Sequence, residues 1–383
     1  MVWDEPIKSR SSGRHGIVEK LKVGVIGLGK VAQIIHLPIL EDQTDRYKIC
    51  ALCDVSPNLL GLIGERYGVD RLYTNAGDLI SQETLDAIFV LNSDEYHADC
   101  VLAALKRGRH VFVEKPLCLT HAEVNEVLRA EHEAGVRVMV GYMRRFAPAF
   151  SLAAEEIKTL GKINYVRIRD IIGRAPLIIP ESSVVHRFDD VPEEAVRDRA
   201  ERAKRLVREA IGDVTEDLGI AYRLLCGLSS HDISAMRELI GVPKRVVAAA
   251  QWNGGRFISA LFEYDGYYAG FETGVNGQRR FDAHIEVYDE AKSLKVQYDT
   301  PYLRHLSTTL NVSETVDQTH KETLMRPTFE DPYVYEILHF HDVVAKGAHP
   351  KTTPADFKAD LDIFGMIMDG LKHEKRQTEQ EVH

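Results

Sequence analysis

The chain has 383 residues, enough for two domains at roughly 100–200 residues each, and its 44% hydrophobic against 28% charged residues supports an ordinary buried core. Its 58 acidic and 48 basic residues leave a formal charge of -10. That balance argues against nucleic acid or an anionic membrane as partner, because holding phosphates needs a basic footprint. Residues 1–20 read as a flexible tail rich in Ser, Gly and basic residues, without the apolar run of a secretory signal. No stretch approaches the ~18 apolar residues of a membrane span, so a cytoplasmic protein is expected.

From Leu21 short β-rich runs alternate with helical patterns. The runs are 21–26, 48–54, 86–92, 110–114 and 136–141, with helices near 30–42, 57–67, 95–107 and 120–134. This rhythm predicts βαβ units and a parallel sheet, and the nearly continuous apolar strands fit a sheet covered on both faces. Cys50 and Cys53 fall inside the second run with no partner pair for zinc, so they read as core residues. After about Phe150 the rhythm changes. A strand pattern at 162–172 precedes charged helical stretches near 192–210 and 214–226. Five strands then follow Pro243 without intervening helices, punctuated by Asn253-Gly254 and Asp265-Gly266 turn pairs, before a helical end at 332–372. The expected fold is α/β plus α+β. A dinucleotide-binding domain spans 21–145. A domain at 146–383, for substrate and oligomerisation, is built on a large, mainly antiparallel sheet. His339 and His341 stand two apart on a helix and face different ways, so no metal site is expected.

The first run leads directly into Gly27-Leu28-Gly29-Lys30-Val31-Ala32, a GxGxxA fingerprint. The first glycine allows the tight turn, the second lets backbone approach a pyrophosphate, and the small third residue lets helix pack on strand. The N–H groups opening the helix then face the phosphates. The second run ends at Asp54, about 20 residues on, where a carboxylate accepts from ribose hydroxyls and repels a 2′-phosphate, favouring NAD over NADP. Asn92, His97, Glu114 and Lys115 lie at the ends of later strands, where open α/β sheets bind ligands.

Glu114-Lys115-Pro116 after a β run, His36-Leu37-Pro38, and the loop ending at His97 together resemble the Gfo/Idh/MocA family of glucose–fructose oxidoreductases and inositol dehydrogenases. So do Met143-Arg144-Arg145-Phe146 with Pro148, Ser230-His231-Asp232-Ile233, and Glu336, Phe340 and Gly347. The resemblance runs from about 21 to 370 and is strongest in its first 130 residues. It implies a Rossmann domain, an open-faced sheet domain, a nicotinamide cofactor, and a sugar or polyol substrate. It also implies a catalytic or substrate-orienting Lys115 and a basic His231. Two positions depart from the inositol-type pattern: Gly227 and Ser234 stand where an Asp is usual. The missing carboxylate would then come from Asp213, Glu216 or Asp217, or His231 would act alone.

Oxidising an alcohol by hydride transfer also requires a group to take the hydroxyl proton. Lys115 and His231 fill that role here. Tyr142, Arg144, Arg145, His186, Arg187 and Asp232 are candidate substrate contacts, with the arginines able to grip an anionic group. The long connection 173–210 is expected to cover the pocket and set specificity. The leading reading is an NAD-dependent dehydrogenase. One alternative is a glycosidase that oxidises its substrate transiently, with Tyr142 or Tyr222 as second base. Another is a non-enzymatic sensor of dinucleotide or sugar. A homodimer or homotetramer through the second sheet is expected.

Overall fold

The computed structural model describes residues 20–381, so the expected tail lies almost wholly outside the described residues. β1 (Leu21–Ile26), β2 (Tyr47–Cys53), β3 (Leu72–Tyr73), β4 (Ala87–Val90), β5 (His110–Glu114) and β6 (Val138–Gly141) form one parallel sheet in the order β3-β2-β1-β4-β5-β6. Helices cover both faces, and Val23, Val25, Ile88, Phe89, Val111 and Phe112 are fully buried. That double cover is why these strands carry apolar residues at consecutive positions. The strand order reverses between β1 and β4, which opens a crevice at their C-terminal ends.

The second sheet has eight strands. They are β7 (Tyr165–Gly173), β8 (Arg245–Trp252), β9 (Phe257–Glu263), β10 (Tyr268–Asn276), β11 (Phe281–Tyr288), β12 (Lys292–Tyr298), β13 (Thr309–Val316) and β14 (Thr319–Met325). Their order is β14-β13-β12-β11-β7-β10-β9-β8, antiparallel except for β7 against β10. Burial alternates along each inner strand: in β9, Ile258, Ala260 and Phe262 face the core while Phe257, Ser259 and Leu261 stay half-buried on the other face. The four-residue connection 253–256 between β8 and β9 holds Asn253, Gly254 and Gly255 at φ of 54°, 66° and 79°, a left-handed run that Asn and Gly tolerate. β13 and β14 extend the sheet beyond the five strands expected after Pro243. The Thr, His, Lys and Glu residues of β14 suit an exposed edge, while β13 buries Leu310 and Val312 only in its first half, so neither shows a full apolar alternation.

The chain does not divide at 145/146 as cleanly as expected. Helix Pro332–Lys346 returns to the first sheet, where Tyr333, Ile337, Phe340 and Val343 join the core of Val25, Phe89 and Phe112. The Phe340 ring meets Phe89 and Phe112 edge-on at 5.5 and 5.6 Å, and Tyr47 donates to the Ile337 carbonyl at 2.7 Å. Helix Pro354–Glu381 instead packs Phe357, Leu361, Phe364 and Ile367 into the core of the second sheet. Among the described residues no helix is long and apolar enough to cross a membrane, and no three His, Cys, Asp or Glu side chains gather as metal ligands.

Candidate active site

The crevice at the switch point is a cleft of about 940 Å³ lined by Gly27, Gly29, Lys30, Val31, Asp54 and Asn92, six of the residues expected to hold a dinucleotide. Ala32 is buried beneath it. Gly27 has φ of +90°, and a Cβ there would overlap the Asn92 backbone, so the turn requires glycine. A Cβ on Gly29 would meet nothing within 4 Å: its backbone faces open space, as a pyrophosphate cradle requires. Asp54 ends β2 with its carboxylate fixed by two backbone donors, Leu28 N at 2.8 Å and Ser56 N at 3.0 Å. The Oδ1 of Asn92 is buried without a partner. Open glycine backbone, a positioned carboxylate and an orphaned acceptor fit a dinucleotide.

The long connection covers this cleft. Val191, Ala195, Val196, Arg199, Ala200 and Ala203, mostly from helix Glu193–Ile211, form its outer wall. Tyr96 donates to Asp198 at 2.6 Å, Arg202 donates to the Glu95 carbonyl at 2.6 Å and pairs with Asp99, and the Arg202 guanidinium lies 4.9 Å above the Tyr96 ring. Upstream, the backbone of His186 exchanges two hydrogen bonds with the Gln33 side chain, at 2.9 and 3.1 Å. The half-buried His186 is thus anchored through its main chain, next to the exposed Arg187.

Around β5 the expected residues take different parts. His97 is buried with its ring nitrogens 2.7 Å from the Pro116 carbonyl and 3.0 Å from the Asn92 carbonyl, so it ties the ends of β4 and β5 together rather than facing the cleft. Glu114 is likewise occupied inside the protein. Its Oε1 lies 2.7 Å from His36 Nε2 and its Oε2 accepts from Lys115 N at 3.2 Å. Against the pull of burial, the bond to His36 holds this carboxyl below its usual range.

Lys115 and His231 do converge. Lys115 Nζ donates to the Gly227 carbonyl at 2.6 Å, one helical turn before His231. Burial lowers the lysine pKa, partly offset by the charges of Glu114 and Asp94. His231 is buried, its Nδ1 has no partner, and its ring meets Tyr142 edge-on at 6.2 Å. Burial first, then the positive charges of Lys115 and Arg144, push its pKa well below 6.5, so the ring is neutral near pH 7. At the position where inositol-type sequences carry Asp, the backbone carbonyl of Gly227 holds the lysine. Of the carboxylates considered as replacements, Asp213 pairs with Arg208 at 2.8 Å and Asp217 accepts from Gln251 at 2.7 Å, both away from Lys115.

The arginines expected to grip an anionic substrate are taken up by the protein's own carboxylates. Arg144 is buried between Asp232 and Asp170, the latter at 3.3 Å. Arg145 pairs with Glu238 at 2.5 Å and with Asp356. A buried guanidinium is stable only when paired, and these partners lie too far away in sequence for pattern to show. Asp232 therefore serves Arg144 rather than orienting His231, and burial together with Asp170 pushes its carboxyl up. Tyr142 donates to Asp360 at 2.6 Å. Sequence reasoning did not name Ser56 and Asn58 beyond Asp54, or the Thr74–Gly77 wall of the cleft. The Ser-Pro step opening helix Pro57–Tyr67 was the available signal for the first.

Residues 21–142 match the family described as "Oxidoreductase family, NAD-binding Rossmann fold". The chain is 33% identical over 152 residues to myo-inositol 2-dehydrogenase of Thermotoga maritima, covering 39% of this chain and 44% of that protein. It is 24% identical over 226 residues to D-apiose dehydrogenase of Paraburkholderia graminis, covering 57% of each. The chain thus spans about half the length of these curated relatives. Among solved structures, myo-inositol 2-dehydrogenase from Lactobacillus plantarum superposes with a TM-score of 0.69 at 22% identity, over 93% of this chain and 98% of that one. A 3-ketoreductase from Actinomadura kijaniata, solved with TDP-benzene and NADP, gives 0.68 at 17%, over 92% and 97%. These likenesses show a shared fold across both sheets, and residues 21–142 carry the Rossmann domain of the Gfo/Idh/MocA oxidoreductases.

Proposed function

We propose that this chain is an NAD-dependent dehydrogenase that moves a hydride between nicotinamide and a hydroxyl-bearing carbon of a sugar, polyol or sugar derivative. The observation that carries the reading is the convergence of Lys115 and neutral His231 at the end of β5, one strand from Asn92 in the dinucleotide cleft. A bound nicotinamide supplies the hydride acceptor. As the hydride leaves, the hydroxyl proton must leave too. His231 takes it, since its neutral ring is a free acceptor. Lys115 spends one donor on Gly227 and keeps others for the substrate oxygen, where its charge stabilises the developing alkoxide. Further substrate contacts are assigned to His186 and Arg187, which stand on the covering segment. Relatives named for inositol and apiose support a polyhydroxylated substrate.

The transient-oxidation glycosidase needs a second base. Both tyrosines considered for it are buried and donate elsewhere, Tyr142 to Asp360 and Tyr222 to the Leu119 carbonyl. The half-buried face of the second sheet, with Ile171, Phe257 and Leu261 among its side chains, is the surface we assign to a second copy in a dimer or tetramer.

The test follows NADH absorbance with purified protein, NAD and a panel of inositols, aldoses and aryl glycosides. NADH should form in step with substrate loss. Lys115→Met should lower kcat/KM by about 10²–10⁴-fold. Full activity in that variant removes the role given to Lys115. Aglycone release without net NADH replaces the dehydrogenase with the glycosidase.

A further inference from the structure

The covering segment brings a second carboxylate, Asp190, onto the start of helix Pro57–Tyr67, just beyond the cleft wall at Val55 and Val191. Asp190 accepts from the Ser56 hydroxyl through Oδ1, and its Oδ2 accepts from Asn58 N at 2.7 Å. Ser56 is also the N-cap of helix Pro57–Tyr67, its Oγ accepting from Leu59 N at 3.2 Å. The same short segment supplies Ser56 N to Asp54. Asp54 and Asp190 therefore grip one tripeptide from opposite sides of the chain, 136 residues apart in sequence (190 minus 54). Val55 between them and Val191 beside Asp190 both line the cleft.

The chemistry of the position is specific. In a dinucleotide fold, the carboxylate ending the second strand accepts from the ribose hydroxyls. A phosphate on the 2′-oxygen extends past that carboxylate toward the next helix, whose first N–H groups and capping hydroxyl are natural phosphate donors. Here those donors, Ser56 Oγ and Asn58 N, are already taken, and the group taking them is itself an anion. The hydrogen bonds from Ser56 and Asn58 hold that carboxyl below its usual range, so it stays charged at neutral pH. A 2′-phosphate would lose its donors and face two carboxylates in place of one.

We propose that Asp190 is a cofactor-specificity residue: supplied by the covering segment, it fills the 2′-phosphate position at the start of helix Pro57–Tyr67 and excludes NADP. This rests on the dinucleotide reading given above. The cations lining the cleft, Lys30 and Arg199, are then left for the pyrophosphate.

The experiment measures dissociation constants of NAD and NADP for the full chain, by calorimetry or nucleotide fluorescence, for the wild type, Asp190→Asn and Asp190→Ser. Asn keeps the size and acceptor oxygen and removes only the charge. Ser removes both charge and reach, with thermal unfolding as the check that the variant folds. The wild type should favour NAD. The ratio of the two constants should shift toward NADP by about tenfold or more in both variants, because one fewer carboxylate opposes a phosphate dianion. The wild-type ratio should narrow as salt rises. An unchanged ratio in a folded Asp190→Asn overturns this inference and leaves the dehydrogenase standing. So does a wild type that prefers NADP, which would assign the ribose end to Arg199. A wild type that binds neither nucleotide overturns both.

Discussion

Burying a histidine beside a lysine and an arginine sets the pH window in which it can accept a proton. His231 is in that position, with a folded-state pKa below its ordinary 6.5. The sign follows directly. Above about pH 6.5 neither the folded nor the unfolded chain protonates this ring, and the fold keeps its full stability. Below it the unfolded chain binds a proton that the fold refuses, so stability drains as pH falls toward the folded pKa. The acid limb of kcat/KM for alcohol oxidation should accordingly lie below pH 6.5. The urea midpoint should fall across the same window in the wild type and flatten there in His231→Gln. An acid limb above 6.5 that survives in the variant would remove His231 as the base. Lys115 and His231 were legible in the sequence because each sits in a short motif at a strand end or helix start. What holds Lys115 was not, since a backbone carbonyl at Gly227 leaves no trace in side-chain pattern. Arg144 and Arg145 misled for a related reason: exposed grip and buried tie use the same residue, and only the distant Asp170, Asp232, Glu238 and Asp356 decide between them.

At the scale of elements, the two glycines of the first turn separate folding from binding. Gly27→Ala forces a Cβ into the Asn92 backbone at a positive φ and should cost about 2–4 kcal/mol of stability. Gly29→Ala meets nothing in the protein and should leave stability within about 0.5 kcal/mol. Its methyl would instead stand between backbone and pyrophosphate, weakening NAD binding by about tenfold or more. Thermal unfolding and NAD titration on the two variants read the difference. Equal loss of stability in both would contradict the open cradle at Gly29. Five of the six parallel strands were readable because two-sided burial makes them continuously apolar, and β7 to β12 because one-sided burial makes them alternate; the two-residue β3 was too short to carry a pattern. β14 escaped because an edge strand exposes polar residues on both faces, and β13 because its buried apolar side chains, Leu310 and Val312, are confined to its first half.

For the molecule as a whole, one sheet opens onto the glycine-turn cleft and the other offers a broad face. Leu261 stands half-buried on that face in β9, beside the Arg169–Glu272 pair at 2.5 Å. If a second copy covers it, Leu261→Asp should convert the oligomer to monomer in light scattering while leaving the unfolding midpoint of the monomer nearly unchanged. A monomeric wild type would sink the assignment of this face. The return of helix Pro332–Lys346 to the first sheet has a different reach. During synthesis the first sheet leaves the ribosome early, yet Tyr333, Ile337, Phe340 and Val343 arrive some two hundred residues later. Until then Phe89 and Phe112 lack the aromatic side chain that closes over them. The usual order, in which an N-terminal unit finishes folding before the rest emerges, is therefore inverted for this chain, since the core of its first sheet is closed by a helix that follows the whole second sheet in sequence.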